Sequence, residues 1–235
     1  MPGAELSLPA QAAMHAVRVL RLRAGDPLVL FNGDGNDYAS ELVEAAARDV
    51  RVRVIDACVV ENESPLRITL AQALARGEKM DWIIQKATEL GAAAIVPLLT
   101  ERSEVRLDGA RTEKRLAHWR AVSIGACEQC GRARVPGIIA PLSLDAWLAT
   151  LPSEGVAETR LALLPQGELG ARSLDRPATE IRLAVGPEGG FADKDVAALR
   201  TAGFRGLSLG PRVLRTETAG TAGLAALQAL YGDAG

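Results

Sequence analysis

The sequence predicts an α/β protein in which a small N-terminal β domain precedes a larger domain built on a parallel sheet. Up to about residue 64, short β-like runs are separated by turn residues, and Val50, Val52 and Val54 alternate with arginines as in a half-buried strand. After Ser64-Pro65, short apolar runs alternate with longer amphipathic stretches, a pattern typical of parallel strands joined by helices. We therefore expect domains at residues 1–64 and 65–235.

The N-terminal region predicts a small barrel or sandwich. Its β-like runs cover residues 17–22, 28–31, 38–43 and 50–55. The first of these runs also fits a short helix. The sequence Asn32-Gly-Asp-Gly-Asn36 is its clearest turn.

The larger domain has its own succession of elements. Apolar runs predict strands at residues 66–74, 94–99, 160–164, 181–185 and 207–209. Met80, Ile83, Ile84, Ala87 and Leu90 share one face of a helix that Gly91 ends. Further helices are expected near residues 111–127, 193–202 and 217–231. The last of them carries a stripe of small residues that permits close packing, either within the chain or against a second copy.

Composition excludes several classes of protein. No apolar run is long enough for a membrane span and no signal peptide is evident, so the cytoplasm is the expected compartment. Cys58, Cys127 and Cys130 are too few for a disulfide framework. Cys127 and Cys130 have a C-x-x-C spacing, but a zinc site needs two more ligands, and the other candidates, Cys58, His15 and His118, are far apart in the sequence, so no metal is expected. A formal net charge of −2 argues against binding nucleic acid through bulk charge. RNA contacts would need local arginine clusters.

Two glycine-rich segments follow predicted strands, where ligands of α/β proteins collect. Gly186-Pro-Glu-Gly-Gly190 follows one strand, and Gly210-Pro-Arg-Val-Leu-Arg-Thr-Glu-Thr-Ala-Gly220 joins another to the last helix. Glycine lets the backbone adopt positive φ and approach a ligand closely. Thr216 and Thr218 are candidates to cap the helix. Such turns also suit an anion-binding enzyme, although the Gly-Lys-Ser/Thr ending of a P-loop is missing.

Together with other blocks in the same order, these turns resemble the SPOUT superfamily of knotted methyltransferases. The resemblance is to the enzymes that methylate N3 of a uridine in 16S ribosomal RNA. The matching blocks are 185–191, 209–219, 128–132, and 81–91 followed by 100–103. The resemblance implies a C-terminal trefoil knot, a PUA-like β-barrel that helps dock RNA, S-adenosylmethionine as cofactor, the small ribosomal subunit as partner, and a homodimer. Relatives usually begin with an additional strand, so closure of the barrel is open.

The resemblance and the chemistry of methyl transfer nominate the site. Cofactor binding is expected from Leu163, Leu164, Pro165, Gly186, Pro187, Glu188, Gly189, Gly190, Leu209, Gly210, Leu214, Arg215 and Thr216. Uridine N3 must lose its proton, which requires a base and a cation that stabilises the uracil anion. The candidate bases are Glu128, Glu188 and Glu217, and the candidate cations are Arg132 and Arg215. Glu217 has an alternative role in stabilising the helix dipole.

RNA contact is expected from two basic groups. One is His15, Arg18, Arg21 and Arg23. The other is looser and comprises Arg102, Arg106, Arg111, Lys114, Arg115, Arg120, Arg132 and Arg134. Each group also fits an ordinary solvated surface. A non-catalytic RNA-binding module for ribosome assembly is the alternative function.

Overall fold

The computed structural model describes residues 2–46, 49–104, 109–152 and 157–235. The chain divides into two compact units. The first comprises residues 1–63 together with 131–134, and the second comprises residues 64–130 and 135–235. The return of residues 131–134 to the first unit has no signal in the sequence pattern.

The first unit contains an antiparallel sheet of four strands. Its elements are β1 (Glu5–Ser7), α1 (Ala10–Met14) continued by a π-helical segment (His15–Val19), β2 (Pro27–Phe31), β3 (Asn36–Ala45) and β4 (Val50–Val59). The strand order is β1-β4-β3-β2. Alternate residues of β4 are buried with Leu42 of β3, while Arg51 and Arg53 face outward and pair with Glu44 and Glu5. The alternation in the sequence therefore predicts the correct face of this strand.

One expectation for this unit needs correction. The run at residues 17–22 is not a strand: Val17–Val19 belong to the π-helical segment, as the alternative helix prediction had it. The chain leaves the helical conformation at Arg21, whose φ of 57° is uncommon for a residue with a side chain. A strand also precedes this segment, because β1 pairs antiparallel with β4.

The second unit is an α/β fold. Its elements are β5 (Arg67–Ala73), α2 (Lys79–Glu89), β6 (Ala94–Leu99), α3 (Gly109–Cys130), β7 (Gly137–Ile138), β8 (Leu142–Ser143), α4 (Leu144–Ala149), β9 (Glu158–Leu163), β10 (Leu169–Gly170), a 3-10 turn (Ala171–Ser173), β11 (Glu180–Val185), α5 (Asp193–Thr201), β12 (Arg205–Ser208) and α6 (Thr216–Tyr231). The sheet has the order β10-β12-β9-β11-β5-β6-β7, with β8 beside β6, and all its pairs are parallel.

Helices cover both faces of this sheet. One core joins the strands to α2, α3 and α6 around the fully buried Trp119. The other packs α4 and α5 on the opposite face, where the rings of Trp147 and Phe204 lie 5.5 Å apart. Burial on both faces explains why the strands are continuous apolar runs rather than alternating ones. The predicted α/β class is confirmed.

The order of the strands brings the glycine-rich turns together. Strands β12, β9 and β11 are adjacent and parallel, so their carboxyl ends lie on one edge of the sheet. The segments 164–168, 186–192 and 209–215 leave from that edge. Ligands of α/β sheets bind at this edge. The trefoil knot stays a prediction.

Candidate active site at the carboxyl edge of the parallel sheet

A cavity of about 570 Å³ lies among the three segments that follow β9, β11 and β12. This volume is in the range typical of small-molecule sites. Its walls combine apolar side chains, such as Leu163, Phe191 and Leu214, with backbone of the glycine-rich turns. The site therefore offers apolar surface for a flat ring and amide groups for its polar edge.

The turn at residues 186–191 is shaped by its glycines. The amide of Gly190 donates to the carbonyl of Pro187 at 2.8 Å, and Gly190 has a φ of 68°. At Gly186 a Cβ would lie 2.9 Å from the backbone nitrogen of Phe191, so only glycine fits without a shift. The turn is a close backbone cradle that a side chain would obstruct.

A buried chain of hydrogen bonds joins this turn to the start of α6 and to the middle of the sheet. The Thr216 hydroxyl donates to the Gly186 carbonyl at 2.6 Å and accepts from Gln72 Nε2 at 2.9 Å. Thr216 therefore does not cap α6 as expected, and Arg215 occupies the N-cap position without a side-chain cap bond. The threonine hydroxyl holds the two glycine-rich segments against each other.

The segment at residues 164–168, which follows β9, passes directly over β12. The Leu164 amide donates to the Leu207 carbonyl at 3.0 Å, and a Cβ on Gly167 would lie 2.7 Å from backbone carbons of Gly206 and Leu207. Glu168 then pairs with Arg200 of α5. The hydrogen bond from Arg200 lowers the pKa of Glu168 from 4.5 to about 2. These contacts fix the wall formed by residues 163–168.

Lys79, at the start of α2, lies between two of the candidate carboxylates. Its Nζ is 3.0 Å from Glu188 Oε1 and 3.4 Å from Glu217 Oε2. Burial alone would raise the pKa of Glu188, but hydrogen bonds from the Arg76 amide and Lys79 outweigh it and lower that pKa. Glu188 also raises the pKa of Lys79. Glu188 is therefore an ionised, tightly held carboxylate and a poor proton acceptor.

The structure brings together the residues nominated for the cofactor, with one exception. Twelve of the thirteen line the cavity: Leu163, Leu164, Pro165, Gly186, Pro187, Glu188, Gly189, Gly190, Leu209, Gly210, Leu214 and Thr216. Arg215 does not line it, although its two neighbours do. Its side chain is exposed and makes no ion pair or hydrogen bond within the described part of the chain. The role of the nominated residues in cofactor binding stays a prediction.

Two other catalytic candidates lie elsewhere. Glu128 is exposed on α3 and does not line the cavity. Arg132 belongs to the first unit, where its buried guanidinium forms a two-point ion pair with Glu63 at 2.9 and 2.6 Å. A guanidinium held in this way is a structural group of that unit. The expectation that Arg132 is free to contact uracil or phosphate is therefore not supported.

The residues predicted to contact RNA also lie in different parts of the structure. His15, Arg18, Arg21 and Arg23 are all exposed on the first unit. Arg102 lines the cavity and donates to backbone carbonyls of the turn at residues 186–191, which the sequence did not predict. Arg106 lies outside the described residues.

Sequence reasoning missed several groups that hold the site. They are Gln72, Lys79, Gly167 and Glu168. Gln72 had a usable signal, since a glutamine inside a buried apolar strand needs polar partners. The others had none, because their partners are more than 30 residues away along the chain.

Within the described ranges, no group of three His, Cys, Asp or Glu side chains could hold a metal ion. The helices of those same ranges all fall short of the length and apolar character needed to cross a bilayer.

Known protein families and relatives match most of this chain. Residues 62–228 match the family profile of an RNA methyltransferase domain, and residues 8–55 match an RNA methyltransferase PUA domain. A ribosomal RNA small subunit methyltransferase E of Mycobacterium bovis is 38% identical over 97% of this chain and 87% of its own length.

Two solved structures resemble the whole chain. A protein of Legionella pneumophila described as a methyltransferase, in complex with SAM, is 40% identical, covers 99% of this chain and 95% of its own, and has a TM-score of 0.93. Ribosomal RNA small subunit methyltransferase E of Neisseria gonorrhoeae, bound to S-adenosyl methionine, is 36% identical, covers 99% and 94%, and has a TM-score of 0.91.

Proposed function

Because this chain belongs to the RNA methyltransferase family with an N-terminal PUA domain, we propose that it methylates 16S ribosomal RNA of the small subunit. The methyl donor in this proposal is S-adenosylmethionine, and the target is N3 of one uridine of that RNA, which the family resemblance of the sequence implies to be the equivalent of U1498. The observation that carries the proposal is the cavity formed by the two glycine-rich turns. Relatives at 36–40% identity and TM-scores above 0.9 bind this cofactor.

The residues of the cavity fit this cofactor. Leu163, Leu209 and Leu214 provide apolar surface for an adenine ring, and the turn at 186–191 provides backbone groups for its polar edge. When bound, S-adenosylmethionine supplies a methyl group already activated by a sulfonium. The main task of the protein is then to hold both reactants in line, which can contribute about 7–11 kcal/mol.

Removal of the N3 proton needs a base and a cation. We assign the cation to Arg215, because it is exposed and stands between two residues that line the cavity, while Arg132 is bound to Glu63. A cation there stabilises the negative charge that develops on the uracil ring. Among the bases, Glu188 is the least suited, because the hydrogen bonds from the Arg76 amide and Lys79 lower its pKa and make it a weak acceptor; Glu217 and Glu128 are the other candidates. Glu128 would reach the site from a second copy of the chain, as the homodimer implied by the family would allow.

The first unit provides the RNA contact in this proposal. His15, Arg18, Arg21 and Arg23 form an exposed basic group suited to phosphates of a structured RNA. Since the substrate is a ribosomal subunit, the protein acts in the cytoplasm.

The test is methyl transfer from radiolabelled S-adenosylmethionine to small ribosomal subunits from cells that lack this protein, followed by nucleoside mass analysis. We expect N3-methyluridine at one position. Leu214→Arg should abolish transfer, because it places a cation in a cavity that receives a cationic cofactor. Ile139→Arg adds the same charge to an exposed apolar position outside the cavity and should retain transfer. A different methylated nucleoside would refute the target. If neither methyl transfer nor cofactor binding is detected, the alternative of a non-catalytic RNA-binding module is favoured.

A further inference from the structure

Arg102, expected to contact RNA, instead holds the turn at residues 186–191. It follows β6, and its Nη1 donates to the carbonyl of Gly189 at 2.9 Å and to the carbonyl of Phe191 at 3.4 Å. Its aliphatic stem covers the same turn, because Cβ and Cδ lie 3.6 and 3.5 Å from where a Cβ on Gly189 would be. One side chain thus contacts the turn through both its charge and its stem.

Thr216 and Lys79 hold the first part of this turn, at Gly186 and Glu188, and Arg102 holds its second part, where the sequence gives little rigidity. Gly189 and Gly190 have wide conformational freedom, and the Gly190 amide bond to Pro187 closes only one side. On the other side the carbonyls of Gly189 and Phe191 accept from Arg102. Ordering a flexible turn on binding opposes affinity, so a preformed turn binds a ligand more tightly.

Arg102 itself is held in place. The Thr100 amide donates to the Ser103 hydroxyl at 3.0 Å, and the two hydroxyls are also 3.0 Å apart. The segment after β6 is therefore a hydrogen-bonded turn that carries Arg102 toward the neighbouring turn. A side chain presented from a fixed turn is suited to positioning.

We propose that Arg102 is a positioning residue for the cofactor cavity and not an RNA contact. The inference rests on the proposed function, since it takes S-adenosylmethionine as the occupant of the cavity. The reach of the side chain matters, because both hydrogen bonds come from the terminal Nη1 while the stem covers the glycines. A lysine keeps the charge and most of the stem, but its ammonium lies one bond nearer the backbone than Nη1.

The experiment is calorimetry with S-adenosylmethionine on the wild-type protein, Arg102→Ala and Arg102→Lys, together with binding to small ribosomal subunits across a series of salt concentrations. For Arg102→Ala we expect the cofactor Kd to rise at least about tenfold, since it loses hydrogen bonds from a charged donor. Arg102→Lys should lie between the two. In the methylation assay, KM for the cofactor should rise while kcat at saturating cofactor is largely retained.

Affinity for the subunits and its salt dependence should not change in either Arg102 variant. Arg18→Ala is the matched control with the opposite pattern: subunit affinity falls, the salt slope decreases by about one phosphate contact, and the cofactor Kd is unchanged. The inference is overturned if Arg102→Ala shows the Arg18 pattern, or if both Arg102 variants bind cofactor like wild type. If Arg102→Ala does not fold, Arg102→Lys decides. Failure of the wild-type protein to bind cofactor would instead overturn the proposed function, and this assignment with it.

Discussion

The hydroxyl of Thr216 is the most informative single group to remove. It donates to the Gly186 carbonyl at 2.6 Å and accepts from Gln72 Nε2 at 2.9 Å, and both Thr216 and Gln72 are buried. Thr216→Val keeps the shape of the side chain and removes both bonds. The substitution therefore isolates the polar contribution to the packing of α6 against the turn at residues 186–191.

The expected loss follows from the groups left behind. A buried polar group without a partner costs about 1–3 kcal/mol. Two partners are affected, but Gln72 Nε2 retains a bond to the Ala73 carbonyl at 3.1 Å, so its loss is partial. We expect Thr216→Val to lower the free energy of unfolding by about 2–4 kcal/mol. In urea, this corresponds to a midpoint lower by roughly 1 M, for an m-value near the upper end of the usual 1–3 kcal/mol/M.

Tryptophan fluorescence during urea unfolding measures the free energy of unfolding of the second compact unit. The chain has three tryptophans, Trp82, Trp119 and Trp147, and all three belong to the second unit. Thr216→Ser is the matched control, because it keeps the hydroxyl and loses only a methyl group, at about 1 kcal/mol. Stability of Thr216→Val equal to wild type, or a larger loss in Thr216→Ser, would show that the two bonds do not hold the site.

Two further predictions concern the wall that passes over β12. Gly167→Ala should destabilise the second unit by about 1–3 kcal/mol, because the new Cβ meets rigid backbone carbons of Gly206 at 2.7 Å. Gly125→Ala, in the middle of α3, adds a Cβ that meets no atom of the described residues within 4 Å apart from its own helix backbone, so it should be neutral or stabilise by about 0.5–1 kcal/mol; equal effects of the two substitutions in urea unfolding would contradict the close approach. Glu168 has its folded pKa depressed from 4.5 to about 2, so its pairing with Arg200 contributes stability above pH 4.5 that is lost as the pH falls toward 2. Thermal unfolding of Glu168→Gln should therefore depend less on pH across this window, and by a small amount, since both side chains are more than 40% exposed; identical pH profiles would refute the pairing.

Much of the second unit could be predicted because its elements have strong patterns. The strand at residues 94–99 and the helical face of Met80, Ile83, Ile84 and Ala87 are found as predicted, with Gly91 at the helix end in the left-handed region. The missed elements are short. Strands β7, β8 and β10 have two residues each, and α4 has six, so no periodicity can reveal them.

The site was predictable to the level of its turns but not of its individual contacts. Glycine-rich strand ends identify backbone that must approach a ligand, and twelve of the thirteen nominated residues line one cavity. Pairings are a different matter. Arg102 bonds to Gly189 and Arg132 pairs with Glu63, and both partners are far away in the sequence. The local pattern of charges therefore gave no sign that these arginines have partners. The segment at His15–Val19 has a β-like composition but is π-helical, because tertiary packing of Val17 against the cluster of Leu42 outweighs the local preference.

The bond between Gln72 and Thr216 also affects when the cavity can form during synthesis of the chain. The two residues are separated by 144 positions, so the hydrogen bonds that hold Thr216 against the Gly186 turn join an early strand to the last helix. During synthesis the chain emerges from its N-terminus, and long-range contacts of this kind form late. A growing chain that ends before residue 216 lacks the part of the cavity that Thr216 and Ala219 line. Under the proposed function, such a nascent chain would therefore not yet sequester S-adenosylmethionine.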